Sequence, residues 1–277
     1  MRCIRLPQLQ NLNPTSRASI ALPLGQCYQK LYFALGTTGL AKSAITNIVL
    51  KLNNKEFMRW NSAADLDALN AYKGNAINAA YLVIDFTERA AREEVGLTLG
   101  TVAACQEAGV QQFTLEFDVG AWTVTGGTAP TLWADVEAPS ANTIIERVMV
   151  QQKVIAAAAQ EMIYLPFGAQ GFQLKRLIIK HANLTSVRVR RDGVEIYEDL
   201  PVALANFREQ DFTRAPVAGY HVVDFMPDTL QSNAFNTAMT VIGKNAVPVQ
   251  NLDIRATTSA ADTLTVYAEG YALNTQL

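Results

Sequence analysis

The sequence is poor in charge, cysteine and histidine. Only 17% of its 277 residues are charged and the net charge is −2, so it lacks the basic excess that phosphate contacts demand of a nucleic-acid-binding protein. The three cysteines, Cys3, Cys27 and Cys105, are odd in number and far apart, which argues against a disulfide scaffold and predicts free thiols. The two histidines, His181 and His221, are too few and too unclustered for the metal site of a cupin-like enzyme.

The sequence also contains no segment suited to export or to membrane insertion. Residues 1–8 lack the apolar core that a signal peptide needs. The longest apolar stretch, residues 154–163, is interrupted by Gln160 and Glu161 and is too short to cross a bilayer. We therefore expect a soluble protein that folds in a reducing cytoplasm. Because 49% of the residues are hydrophobic, we also expect apolar surface that contacts between subunits would cover.

Linear motifs of common active sites are absent. The sequence has no Gly-x-Ser-x-Gly elbow, no His-Glu-x-x-His helix, no phosphate-binding glycine loop and no Cys-x-x-Cys pair. The glycine pair at 126–127 lies in a loop that a strand and a helix do not frame. The acidic pairs Glu93 with Glu94 and Asp65 with Asp67 fall on predicted helices or turns, where a solvated face explains them. We therefore predict no enzyme and no catalytic or cofactor-binding residue, although a glycosidase needs only two carboxylates and no linear motif.

The most informative feature that is present is an internal repeat. Blocks of similar sequence recur in the same order about half the chain apart, and this period is far too long for a solenoid, so it indicates duplication of a whole domain. Residues 34–44 are expected to form a longer loop in the first copy, since one block matches at a larger offset than the others. The matching blocks are 45–57 with 184–196, 81–86 with 220–225 and 111–115 with 250–254, at an offset of 139, and 20–25 with 163–168, at an offset of 143.

Each copy contains a predicted β-hairpin. Asn53-Asn54 and Asp192-Gly193 tolerate positive φ, which a two-residue type I′ turn requires. Turns at these places bring opposite charges together on one face of the hairpin and apolar side chains together on the other, as a sheet with one packed side requires. The expected charged pairs are Lys51 with Glu56 and Arg190 with Glu195, and the expected apolar pairs are Leu50 with Phe57 and Val189 with Ile196.

Helical signals are few, so the predicted fold class is all-β. Ser62 and Asp65 resemble a capping box for one short helix, Pro201 precedes another in the second copy, and residues 88–95 would add a helical turn. Seven or eight short strands in each copy indicate a β-sandwich with Greek-key or jelly-roll wiring, and the sequence leaves both open. A small, polar, proline-containing stretch at 138–142 suits the linker. The predicted strands are 18–24, 28–34, 79–87, 97–104, 111–119 and 131–137, then 146–155, 161–166, 172–181, 219–226, 237–242, 249–256 and 262–272.

Three segments resemble a known family. Residues 22–28, Leu-Pro-Leu-Gly-Gln-Cys-Tyr, resemble the first strand and turn of the major capsid protein of corticoviruses, which are tailless bacteriophages with an icosahedral shell over an internal membrane. The hairpin around Asp192-Gly193 and the strand at 223–226 are similar to positions in the second half of that protein. The resemblance implies two tandem jelly-roll β-sandwiches, a double jelly roll. We expect an N-terminal jelly roll with an N-terminal arm at residues 1–140 and a C-terminal jelly roll at residues 141–277.

The same resemblance implies a structural role in a virion. Double jelly-roll capsid proteins form homotrimers with a nearly hexagonal outline, and such trimers tile an icosahedral shell. The implied partners are other copies of the chain, other virion proteins such as a vertex protein that attaches to the host, and the internal membrane. Because no segment of the sequence can span a bilayer, we expect the membrane contact to be peripheral, through an N-terminal arm with Arg2 and Arg5. Direct sequence-specific contact with nucleic acid is not expected. The family has no catalytic residues or cofactors; some members depend on calcium for shell stability, but no metal ligand is assigned in this sequence.

One alternative belongs to a different class of protein. A two-domain carbohydrate-binding or receptor-binding protein, such as a lectin or a spike, would carry exposed aromatic residues on loops. Trp122 and Trp133 flank the glycine pair at 126–127 and could serve this purpose. Their strand-like surroundings favour a place in the core or at a subunit contact. An enzyme built on a duplicated β-sandwich is the third hypothesis.

Overall fold

The computed structural model describes residues 1–167, 172–242 and 245–277. The chain folds as two compact units: unit 1 is Met1–Val148 together with Leu273–Leu277, and unit 2 is Met149–Ala272. Strands dominate both units, which confirms an all-β fold with a few short helices. Gly168, the last residue of one repeated block, lies outside the described residues.

The elements of unit 1 come first in the chain. Its strands are β1 (Arg2–Arg5), β2 (Arg17–Ala21), β3 (Gln26–Ala34), β4 (Ile45–Leu52), β5 (Lys55–Ser62), β6 (Tyr81–Asp85), β7 (Val102–Ala104), β8 (Phe113–Val119) and β9 (Thr131–Glu137). Its α-helices are α1 (Ala63–Tyr72) and α2 (Glu94–Thr98).

Strand β10 (Ile144–Ile155) begins in unit 1 and continues into unit 2. The following strands are β11 (Ala159–Ile163), β12 (Gln173–Lys180), β13 (Leu184–Arg191), β14 (Val194–Pro201), β15 (Tyr220–Asp224), β16 (Phe235–Asn236), β17 (Met239–Ile242), β18 (Asn245–Pro248), β19 (Leu252–Thr258) and β20 (Asp262–Leu273). The helix of this unit is α3 (Val202–Gln210).

Two packed sheets make up unit 1. One has the order β1-β9-β3-β6, with β7 also on β3, and the other has the order β5-β4-β8-β2. Alternate residues of β8 are buried, as the two-residue period of a strand requires when one face packs on a core. Tyr28 and Phe33 of β3 contact Phe113 and Phe117 of β8, with ring centroids 5.2 and 5.3 Å apart, and so join the two sheets.

Unit 2 repeats this two-sheet arrangement and adds a separate two-stranded sheet of β17 and β18. Its first sheet has the order β10-β20-β12-β15, with β16 also on β12, and its second has the order β14-β13-β19-β11. Thus β12, β13, β14, α3, β15, β19 and β20 correspond to β3, β4, β5, α1, β6, β8 and β9. The repeated order is that of a jelly roll. Between the two sheets lies a core that includes Leu177, Ile179, Val187, Val189, Val223 and Ile254.

The two hairpin turns occupy equivalent places in the two units. All four turn residues, Asn53, Asn54, Asp192 and Gly193, have positive φ, which confirms the predicted type I′ turns. The side-chain oxygen of Asn53 accepts hydrogen bonds from the backbone N–H groups of residues 111 and 112. Asp192 accepts from those of residues 250 and 251 in the same way. The connection before the hairpin is also longer in unit 1, where ten residues separate β3 from β4, whereas three separate β12 from β13.

The predicted register of the hairpins is only half right. Lys51 lies opposite Glu56 and Arg190 opposite Glu195, as expected. The next pairs are wrong, because the register shifts in each hairpin just beyond the charged pair. A β-bulge places two residues opposite one and displaces every later pair. The pairs observed there are Leu50 with Met58 and Val189 with Tyr197, not Leu50 with Phe57 and Val189 with Ile196.

Residues 86–110 depart most from the prediction. The expected strand at 97–104 is the end of α2 followed by the short strand β7, and the expected helical turn at 88–95 lies instead at Glu94–Thr98. Cys105 directly follows β7, and Cys27 lies in β3. All three cysteines are free thiols, with Cys3 exposed and the other two buried.

The N-terminal residues form a strand and not the expected arm. Residues Arg2–Arg5, expected in a free arm, form β1 and pair antiparallel with β9. Arg2 donates a hydrogen bond to the Gln26 side chain at 3.3 Å. These arginines therefore belong to the edge of a sheet in unit 1.

Candidate functional site

The two histidines, which look unclustered in the sequence, line one pocket of about 340 Å³ in unit 2. His221 lies in β15 opposite Ile179 of β12, and His181 follows the end of β12. The Nδ1 atom of His181 accepts a hydrogen bond from the Asn183 backbone N–H, and the Nδ1 atom of His221 lies 3.2 Å from Oδ1 of Asn206. Both Nε2 atoms are buried without a hydrogen-bond partner in the described chain. Burial lowers the pKa of His221 to about 4, so its ring is neutral at pH 7.

The side chains of this pocket indicate a role in packing. Its wall is about half apolar, with residues such as Leu184, Val202 and Val217, and it is lined by no carboxylate or cysteine. Unit 1 has two leucines at the matching places: Leu82 pairs with Phe33 as His221 pairs with Ile179, and the backbone N–H of Leu35 bonds across the sheet as that of His181 does. Within the described ranges, no group of three or more His, Cys, Asp or Glu could hold a metal ion.

A buried ionic network in unit 2 is the main polar feature that the sequence analysis missed. Arg176 lies in β12 between Asp224 of β15 and Glu269 of β20. Its Nε is 2.9 Å from an Asp224 oxygen, and its Nη1 is 3.3 Å from a Glu269 oxygen. Lys175 reaches Glu269 at 3.0 Å. All four side chains are fully buried, so their charges offset one another away from solvent.

Unit 1 carries a related but less buried arrangement at the equivalent place, where the Lys30 side chain is 19% exposed. Lys30 of β3 lies between Asp85 of β6 and Asp135 of β9, and its ammonium group is 2.7 Å from Asp85. The Tyr32 hydroxyl donates to Asp135 at 2.7 Å. The repeated Asp-Phe at the end of the 81–86 and 220–225 blocks was the available signal for this network. Its occurrence in both copies indicates a role in specifying the strand arrangement.

The other polar and aromatic candidates all lie in unit 1. Asp65 is buried, not solvated as expected, and its backbone N–H bonds to the Ser62 hydroxyl at the start of α1, which confirms the capping box. Asp67 forms an ion pair with Lys42 at 2.6 Å. Trp133 lies in β9, is 38% exposed and donates to the neighbouring Thr131 hydroxyl. Trp122 lies outside the strands and is half-buried.

Unit 2 presents an exposed apolar surface at its hairpin and helix, which we call the β14–α3 surface. Strand β14 is the edge of its sheet, and each of its residues is at least partly exposed. A groove of about 500 Å³ lies here and is lined by acidic residues as well as aromatic ones. The large exposed apolar side chains are Val194 (63%), Ile196 (36%), Leu204 (46%), Phe207 (64%) and Phe212 (40%). An edge strand with exposed apolar side chains is a surface that another chain can cover.

Solved structures share this architecture. The chain matches the major capsid protein P2 from bacteriophage PM2 with a TM-score of 0.83 and 16% identity, over 98% of this chain and 97% of that one. It also matches the structure of Sulfolobus Turreted Icosahedral Virus (TM-score 0.61, 12% identity, 98% and 90% covered) and the capsid of the virus PBCV-1 (TM-score 0.59, 11% identity, 98% and 92% covered). The fold therefore defines the class: a double jelly-roll protein.

Family models identify the chain more narrowly. The model of the viral coat protein P2 N-terminal domain matches residues 3–138, and that of the C-terminal domain matches residues 145–274. The chain therefore belongs to the viral coat protein P2 family. It is a major capsid protein of the virion, a structural protein and not an enzyme. A comparison with curated proteins finds no match.

Proposed function

We propose that three copies of this coat protein form a closed homotrimer and that these trimers tile an icosahedral shell over an internal membrane. The observation that carries the proposal is the repetition of one two-sheet arrangement, with the same strand order, within a single chain. Three such chains around a threefold axis bring six similar units together, which gives the trimer a nearly hexagonal outline. Closed cyclic symmetry then satisfies every contact surface.

The exposed surface of unit 2 supports an obligate assembly. Obligate interfaces bury roughly 2,000–5,000 Å² and are rich in apolar area. The β14–α3 surface supplies five large exposed apolar side chains on neighbouring elements.

The boundary between the two jelly rolls is proposed at residues 140 and 141, and the gap between the two family matches, from 138 to 145, supports it.

Further partners follow from charge and hydropathy. A net charge of −2 supports a shell that does not grip nucleic acid directly. No helix among the described residues is long and apolar enough to cross a membrane. Contact with the internal membrane would therefore be peripheral. The vertex protein implied by the family resemblance would supply attachment to the host.

Native mass spectrometry of the purified protein, followed by electron microscopy of assembled particles, tests the proposal. The expected mass is three times that of the 30.2 kDa chain, and the expected image is a trimer with a hexagonal outline. A protein that remains monomeric at high concentration, or that binds sugars as a dimer, would contradict the proposal and favour the carbohydrate-binding alternative.

A further inference from the structure

The two copies bury their hairpins and helices to very different extents. In unit 1, Phe57, Met58 and Trp60 of β5 are buried, and α1 buries seven of its residues. In unit 2, no residue of β14 is fully buried, and α3 buries only Ala205 and Glu209. Since the elements are equivalent, the β14–α3 surface corresponds to a face that is covered in unit 1.

Strand β10 provides part of that cover in unit 1. Val148 pairs in parallel with Met58 of β5. Burial lowers the pKa of the Arg147 guanidinium, and the negative charge of Glu56 partly offsets this effect. Residues 147 and 148 therefore lie at the outer edge of β5. The later part of β10 belongs to unit 2, where it lies beside β20.

Strand β1 is the counterpart of β10 in the first copy. It pairs with β9, the equivalent of β20. The first residue of β1 lies as many residues before the first residue of β2 as the first residue of β10 lies before that of β11. Arg5 and Arg147 each stand twelve residues before the start of the following strand, at Arg17 and Ala159. In the described chain β1 pairs only with β9 and β14 pairs only with β13, so each has one open edge.

We propose that β1 of a second copy of this chain pairs in parallel with β14 and covers the β14–α3 surface. The inference rests on the proposed function, because the partner is a neighbour in the trimer. The register follows from the pair Val148 with Met58: Leu6 would lie opposite Tyr197, and Ile4 opposite Glu195. Arg5 would then take the place that Arg147 has beside Glu56.

Charge complementarity supports this occupant. The open edge carries three acidic residues, Glu195, Glu198 and Asp199, and β1 carries two exposed arginines, Arg2 and Arg5. Opposite charges on neighbouring strands steer the partner and select its register. Glu195 already pairs with Arg190 at 2.6 Å, so a second copy would supply the missing strand and add a further cation to this acidic edge.

Disulfide crosslinking tests the pairing. In a Cys3→Ser background, which removes the exposed thiol, the pair Ile4→Cys and Glu195→Cys should give covalent trimers under mild oxidation. Mixing the two single variants should give covalent dimers, whereas neither single variant alone should. The matched control combines Ile4→Cys with Val154→Cys, whose site is 79% exposed but lies away from β14; we expect at least about tenfold less crosslinking.

A second measurement tests the cover of the helix. Phe207→Ser should shift the native mass spectrum from trimer to monomer at concentrations where the wild type is trimeric. Tyr164→Ser, which alters an aromatic side chain that is 71% exposed elsewhere in unit 2, should leave the trimer intact. Retained far-ultraviolet circular dichroism distinguishes loss of contact from loss of fold.

The outcomes separate this inference from the proposed function. A trimeric wild type that gives no more crosslinks at the β1–β14 pair than at the control overturns the pairing and leaves the trimer. A trimer that withstands Phe207→Ser overturns the cover of α3. A wild type that remains monomeric contradicts both the inference and the proposed function.

Discussion

The buried histidine of β15 makes the stability of unit 2 depend on pH. His221 is 2% exposed, and the equivalent position in unit 1 holds Leu82. The substitution His221→Leu introduces the residue type that unit 1 has at the equivalent position. It removes a titrating group and an unpartnered Nε2 atom, at the cost of one hydrogen-bonding contact with the partly exposed Asn206.

The lowered pKa of His221 predicts that unit 2 is less stable in acid than at neutral pH. Burial lowers the pKa of His221 from 6.5 to about 4 in the folded chain, so between these values the unfolded chain binds the additional proton. This contribution to stability is fully present above pH 6.5 and is lost as the pH falls toward 4. The loss at about pH 4.5 is about 2.5 kcal/mol, from a free-energy cost of about 1.4 kcal/mol for each pKa unit.

Hydrogen exchange of peptides from β12 and β15, compared between variants at the same pH, measures this local stability. The wild type should open more readily at about pH 4.5 than at pH 7.5, and His221→Leu should lose most of that difference. His221→Gln, which keeps a polar side chain without a titrating ring, should lose it too. Fluorescence serves as the internal control, because all three tryptophans belong to unit 1. An undiminished acid effect in both variants would refute the assignment to His221.

Three further predictions concern backbone and buried charge. Gly193→Val places a β-branched residue at a φ of 82° and should cost about 1–3 kcal/mol and lower the soluble yield, whereas Asn54→Gly should be tolerated. Gly270→Ala would place a Cβ 2.2 Å from a backbone carbonyl oxygen and should cost about 3 kcal/mol in urea unfolding, whereas Gly126→Ala, with open space around it, should be neutral. Glu269→Gln leaves two buried cations with less compensation and should lower the unfolding free energy by about 3 kcal/mol; an unchanged midpoint would contradict the network.

Local features of the fold could be predicted from the sequence because they depend on neighbouring residues. A two-residue turn needs residues that tolerate positive φ, so Asn53-Asn54 and Asp192-Gly193 mark both hairpins. The alternation along β8 follows from the geometry of a half-buried strand. The repeat was visible because both copies keep these local requirements at the same spacing. Residues 86–110 were misread because short helices and strands there carry no sustained period.

Other features depend on contacts between distant parts of the chain. The bulges at Phe57 and Ile196 arise where a strand adjusts to its neighbours, so the pairing pattern of an ideal hairpin does not contain them. His181 and His221 share a pocket because β12 and β15 pair.

The sequence by itself therefore determined the duplication, the turns and the all-β class, and through its family resemblance the role in a capsid. Only the tertiary structure decided which charges are buried together and which copy leaves its hairpin edge open. Arg176 meets Asp224 and Glu269 across three strands that are far apart along the chain. Such contacts form when sheets assemble, and no local pattern of residues encodes them.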